Sequence, residues 1–164
     1  MVVISDTTPL ITLIKIGRLD LLEKLFENII IPEAVYHELT LNTQFLDEAA
    51  EITNAKYIKV VDVQDTKSVE LLRRATGLDL GESEAIIYTD DSKADLLLMD
   101  EVKGRKVAQQ MGLSVMGTIG ILMSAYKEKM ITKDEIRHYI NIMKKSGRHI
   151  GENLYAKLLE LIEK

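Results

Sequence analysis

Asp6 closes the strand-like run Val2-Val3-Ile4-Ser5, and Asp100 closes Leu96-Leu97-Leu98-Met99. In an open parallel α/β sheet, ligands gather at the carboxyl ends of the strands, so carboxylates placed there twice point to one shared acidic pocket. Such a pocket calls for a hard cation. Two carboxylates about 4 Å apart repel by roughly 4 kcal/mol at an effective dielectric near 20, and several together cannot all stay ionised without a counter-charge. Oxygen ligands suit Mg²⁺ or Mn²⁺, whereas a chain with no cysteine and with only His37, His138 and His149, at no ligand-like spacing, disfavours zinc. A cation held this way can orient and deprotonate a water for attack on a phosphodiester, and a second one, roughly 3.5 to 4 Å away, can stabilise the leaving oxygen.

Two more acids are placed to join them. On a helix opening at Pro32, Glu38 falls about 60° from the apolar Val35, whereas Glu33 points almost the opposite way. In Asp79-Leu80-Gly81-Glu82-Ser83-Glu84-Ala85-Ile86, Glu82 lies about 40° from Ile86 and shares the inward side, while Glu84 points away. Each acid also has a purely structural reading. Asp6 is a turn residue before Thr8, Asp100 caps the helix beginning near Val102, Glu38 is an ordinary boundary glutamate, and Asp79 with Glu82 forms a capping box. Their joint placement argues against four coincidences.

The elements that must position these residues alternate in type, which is the form of an α/β fold with a mostly parallel sheet. Strands are expected at 2–5, 29–31, 58–63, 96–99 and 113–116, the third as a possible edge. Thr8-Pro9 supplies an N-cap and a first-turn proline for a helix over 9–16, and Gly17 separates it from another over 19–26. Further helices are expected at 32–39, 45–55, 68–75, 80–89, 102–111, 118–129, 133–145 and 152–162. The last third, helical from about residue 130, is expected to cover the sheet.

The chain has 164 residues, 46% of them hydrophobic and 29% charged, enough for one substantial core and short for two. One domain over 1–164 is expected. No apolar run approaches a membrane span, and Met1 leads straight into a strand, so a cytoplasmic protein is expected. A net charge of −5 argues against holding nucleic acid by bulk electrostatics but leaves room for local basic strips. Three are present: Arg73-Arg74, Lys103-Gly104-Arg105-Lys106, and Lys144-Lys145 with Arg148. The second lies in the first turns of the helix after Asp100, where backbone donors can also meet a phosphate. With Phe26, Phe45 and six Tyr as its aromatics, the chain offers little base stacking. A haloacid-dehalogenase-type phosphotransferase needs a second Asp two residues after the first, where this chain has Thr8, and a receiver domain needs an acidic pair after the first strand.

Four segments together resemble a known family. Ser5-Asp6-Thr7-Thr8-Pro9-Leu10-Ile11, Ile31-Pro32-Glu33-Ala34-Val35-Tyr36-His37-Glu38-Leu39, Gly81-Glu82-Ser83-Glu84-Ala85-Ile86 and Leu97-Leu98-Met99-Asp100-Glu101 are similar to the ordered signatures of PIN-domain proteins, in a prokaryotic branch related to the VapC-type toxins. The likeness runs from Met1 to about Tyr126. It implies a three-layer α/β/α sandwich and a metal-dependent ribonuclease, with Asp6, Glu38, Glu82 and Asp100 as catalytic, metal-holding acids. Asp6 and Asp100 take the principal cation, Glu82 and Glu38 complete the second position or hold its water, and Glu84 and Glu101 stand in reserve. The chain departs from the commonest pattern in carrying Glu82 where Asp is usual, and Glu101 directly after Asp100. The resemblance also implies an RNA substrate, a small antitoxin protein as partner, and a homodimer, for which the helix with Ile119, Ile121, Leu122 and Tyr126 is one surface to consider. Thr118, at the start of that helix, is read as an N-cap, although in similar proteins it orients a ligand. The rival reading from another class is a binding or scaffold module of the same fold without turnover.

Overall fold

The computed structural model describes residues 1–146 and 152–163. Arg148 and His149 lie outside the described residues. Short apolar, β-branched runs form five parallel strands: β1 (Val3–Ser5), β2 (Ile29–Pro32), β3 (Ile58–Val61), β4 (Leu96–Leu98) and β5 (Val115–Met116), in the order β3-β2-β1-β4-β5. The strand order reverses direction between β1 and β4, so the crevice of this sheet opens beyond Ser5 and Leu98, which are paired in register. Asp6 and Asp100 stand just past those two residues.

Period-two alternation sends neighbouring side chains to opposite faces. Val3, Ile29, Ile31 and Leu98 pack into one apolar cluster, while Ile4, Leu97 and Met99 pack into the other. On the first side lie α1 (Thr7–Lys15), α2 (Asp20–Phe26), α3 (Glu33–Leu41), α4 (Leu46–Asn54, after a 3-10 turn at Thr43–Phe45) and α8 (Thr118–Lys127). On the second lie α6 (Leu80–Asp91) and α7 (Val102–Gln110), with α5 (Thr66–Thr76) packed on α6. This is the expected α/β/α sandwich. The last two helices, α9 (Lys133–Lys145) and α10 (Glu152–Glu163), depart from expectation. They pack on α1 and α8 as an outer layer rather than on the sheet, because the inner positions are already filled by Leu10, Leu13, Ile121 and Leu122. Ile119, Ile121 and Leu122 of α8 are buried in this core, while Tyr126 is half-buried.

Several boundaries move for local reasons. The first helix begins at Thr7, not Pro9, with Asp6 in extended backbone at the N-cap position and Thr8 inside the first turn. Pro9 is tolerated there because a first-turn N–H has no helical acceptor to lose. β3 is the sheet's edge and stops at Val61, and β5 contains only Val115–Met116, since Leu113 turns with the left-handed Gly112. Asp65 and Gly77 punctuate α5 as N-cap and left-handed C-cap. Among the described residues no helix is long and apolar enough to cross a membrane.

Candidate active site

Asp6 is 4% exposed at the end of β1, with its N–H bonded to the carbonyl of Leu98 across the crevice. Burial pushes its carboxyl well above the usual range, the backbone of Thr7 opposes this, and Glu82, Asp79 and Glu38 push it further. These acids therefore surround one spot. Glu38 reaches it from α3, exposed on the rim, with Oε2 accepting the Thr7 hydroxyl at 2.9 Å. Its pKa is raised by burial of the carboxyl among its neighbours and by Asp79, against the Thr7 bond.

Glu82 arrives from the N-terminus of α6, where the capping-box reading holds. Its N–H donates to Asp79 Oδ1 at 2.8 Å, and its Oε2 accepts the Asp79 N–H at 2.9 Å. Glu82 thus serves the cap and faces the site at once, and burial followed by the charges of Asp79 and Glu101 raises its pKa. Gly81 sits against this group: a Cβ there would lie in ordinary contact, 3.4 Å from Glu38 Oε2 and 3.7 Å from Asp79 Oδ1. A cleft of about 540 Å³ runs beside this group, lined by Glu38, Asp79 and Gly81 among others.

Asp100 comes from the end of β4, and the alternative reading of it as the cap of α7 fails, because Glu101 is that cap, its Oε2 accepting the Gly104 N–H at 2.7 Å. Asp100 turns to α8. Its Oδ1 accepts the Thr118 N–H at 2.7 Å and its Oδ2 the Thr118 hydroxyl at 2.6 Å. Thr118 is accordingly not the N-cap; Gly117 occupies that position, and the cap oxygen is supplied from 18 residues upstream by Asp100. Glu84 stands apart, half-buried and accepting the Ala34 N–H at 3.2 Å, so it ties α6 to the start of α3.

Four of the expected acids thus share the carboxyl rim of the sheet, from β1, α3, α6 and β4. Among the described residues no three acidic or histidine side chains close tightly enough to hold a metal ion in this conformation. The donor chemistry nevertheless fits a hard divalent cation. The four acids offer only carboxylate oxygens, and Asp6, Glu38 and Glu82 all have raised pKa values that a positive charge would lower.

Asp79, whose cap role accounts for it in the sequence, also stands close enough for its charge to act on Asp6 and Glu38. The charge density of Asp79-x-x-Glu82 facing Asp6 was the available signal. A separate cavity of about 700 Å³ lies at the other end of the sheet beside Arg18, whose guanidinium is tied to Asp20, Glu135 and Tyr139.

A family model described as a PIN domain matches residues 2–164. The chain belongs to the PIN-domain family, and its sandwich is a nuclease-type fold. No curated protein matches the chain.

Proposed function

We propose that the protein is a metal-dependent ribonuclease that hydrolyses RNA phosphodiester bonds at the rim formed by Asp6, Glu38, Glu82 and Asp100. The observation that carries the reading is that Asp6, buried at the switch point of the sheet, is ringed by Glu38, Asp79 and Glu82, whose charges add to burial in raising its pKa. A buried acid with a raised pKa costs stability, and one held beside further acids at a crevice supports a working site over a scaffold.

Asp6 and Asp100 would hold the principal Mg²⁺ or Mn²⁺, with Glu38 and Glu82 toward a second position. Such a cation supplies an activated water nucleophile and charge neutralisation at the phosphate. The chain's own residues do the positioning. Thr118 fixes the plane of the Asp100 carboxylate by holding both oxygens, and Thr7 fixes one oxygen of Glu38. Burial of Asp6 keeps that carboxyl out of bulk water, which strengthens its interaction with any cation. If the toxin likeness extends to biology, the partner is a small antitoxin that places a basic side chain against this acidic rim, and the working site is cytoplasmic.

A second reading, a non-catalytic module of the same fold, is favoured by two observations: Glu82 is engaged in its capping box, and among the described residues no three acids close on a point. The two separate on incubation of purified protein with end-labelled single-stranded RNA and Mn²⁺ or Mg²⁺. The nuclease reading expects cleavage that disappears in Asp6→Asn and Asp100→Asn. Cleavage surviving both substitutions, or none in the parent, contradicts it.

A further inference from the structure

Beyond Asp100 the rim continues into a second cleft, of about 410 Å³, between β5, α8 and α10. Asp100 lines it on the side of the rim, and the other charged groups that line it are cations. Arg105 from α7 and Lys157 from α10 line it, together with the side chains of Met116, Met123 and Leu154. We propose that this cleft seats the nucleotide next to the scissile phosphate of single-stranded RNA, with its phosphate on Arg105 and Lys157 and its base against the two methionines. The proposal rests on the nuclease reading above and assigns substrate-binding residues to that site.

Arg105 is built into place. Its Nη1 donates to the carbonyl of Met99 at 3.0 Å, and among the described residues this is the one acceptor its side chain uses, so the rest of the planar fork remains for a phosphate. Gly117 permits this seat, because a Cβ there would stand 2.9 Å from Arg105 Nη1 and 2.8 Å from Asp100 Oδ1. The guanidinium and the carboxylate therefore flank a single backbone position, which ties the cleft directly to the acidic rim. Lys157 is exposed, and neither cation belongs to an ion pair among the described residues. In a chain of net charge −5, two uncommitted cations at the mouth of one cleft select a polyanion.

The apolar part selects a flat ring system over a simple anion. Gly120 carries no side chain against Met116, whose Cγ lies 2.7 Å from where a Cβ would be, so the thioether can lie close over α8. Methionine is adaptable and polarisable, which suits contact with any base without reading its identity. A basic groove with sequence-tolerant base contacts is the general design for single strands.

The test uses full-length Asp6→Asn protein, to prevent cleavage, and the fluorescence anisotropy of a labelled single-stranded RNA titrated with Mn²⁺ present over a range of salt. Arg105→Ala is expected to weaken binding about tenfold and Lys157→Ala about threefold, each reducing the salt slope by about one. Arg105→Lys, which keeps the charge and loses the fork, recovers the slope but only part of the affinity. Lys157→Ala guards against misfolding because it lies on an exposed helix face, and Lys133→Ala, exposed and outside the cleft, leaves binding unchanged. RNA bound equally by the parent and by both alanine variants overturns the cleft while leaving the nuclease reading intact. Displacement of RNA by polyglutamate as effective as by unlabelled RNA overturns the nucleotide assignment in favour of an acidic protein segment. No RNA binding by the parent, with no cleavage by wild type, removes the nuclease reading and the cleft with it.

Discussion

Thr118 grips both oxygens of Asp100, its N–H on Oδ1 at 2.7 Å and its hydroxyl on Oδ2 at 2.6 Å. Because the threonine is fully buried at the first turn of α8, the carboxylate is oriented by a rigid element rather than by a loop. Thr118→Val keeps the shape and the N–H bond but strips the hydroxyl. Groups that orient a metal-holding carboxylate are typically worth 10–100-fold, so cleavage rates should fall by about that factor, with Thr118→Ser restoring most of the loss. Initial rates on a labelled RNA measure this.

Gly117 tests crowding at the same spot. Its backbone, with φ of −97°, is open to any residue, so Gly117→Ala carries no conformational penalty of its own. Its methyl would meet Asp100 Oδ1 and Arg105 Nη1 at 2.8 and 2.9 Å, and both groups are already held by hydrogen bonds. Gly81→Ala brings a methyl no nearer than 3.4 Å to Glu38 Oε2. Activity assays side by side should show a loss of roughly tenfold or more for Gly117→Ala and a smaller one for Gly81→Ala, since a displaced catalytic group is costly even over 1 Å.

Glu82 has two jobs that substitution can separate. Gln at this third helical position can still accept the Asp79 N–H, so Glu82→Gln should melt within about 2 °C of wild type while losing most activity. Asp79→Ala removes the N-cap oxygen that holds the Glu82 N–H, and should cost about 0.5–2 kcal/mol in denaturant unfolding. Equal stability loss in both variants would assign Glu82 to the cap alone.

The placement of Asp6 and Asp100 past neighbouring strands was legible in the sequence because strands followed by Asp are a local pattern. Helix phase likewise separated Glu38 from Glu33 and Glu82 from Glu84. What resisted reading was long-range. Thr8-Pro9 looked like a helix start, yet the chain enters α1 directly from the strand at Asp6. Asp100 is drawn to Thr118 by the adjacency of β4 and β5, which no spacing of 18 residues announces. Lys157 reaches the rim only because α10 docks on α8, a pairing set by tertiary packing of Tyr155, Leu158 and Ile162.

The raised pKa of Asp6 gives a pH signature without metal. Burial, then Glu82, Asp79 and Glu38, favour the protonated form in the folded state. The resulting stability is fully present below the unfolded carboxyl value and is lost as pH rises through the higher folded one. In chelator at pH 7, Asp6→Asn should therefore be more stable than wild type, on the order of 1–3 kcal/mol, the desolvation cost of a buried charge that the Thr7 N–H only partly offsets. The gap should close as pH falls and Asp6 takes up its proton. Thermal melts of the two proteins across pH 4–8 measure it, and a gap that stays constant would place its origin elsewhere.

The central claim is that distant carboxylates share a divalent cation, and a Mn²⁺ thermal-shift titration tests it most directly. At a hundredfold excess over Kd, binding adds about 2.7 kcal/mol, or roughly 5–11 °C for a chain of this size. The account predicts that gain for wild type and its loss in both Asp6→Asn and Asp100→Asn. A wild type indifferent to Mn²⁺, or variants that gain as much as it does, would contradict the account.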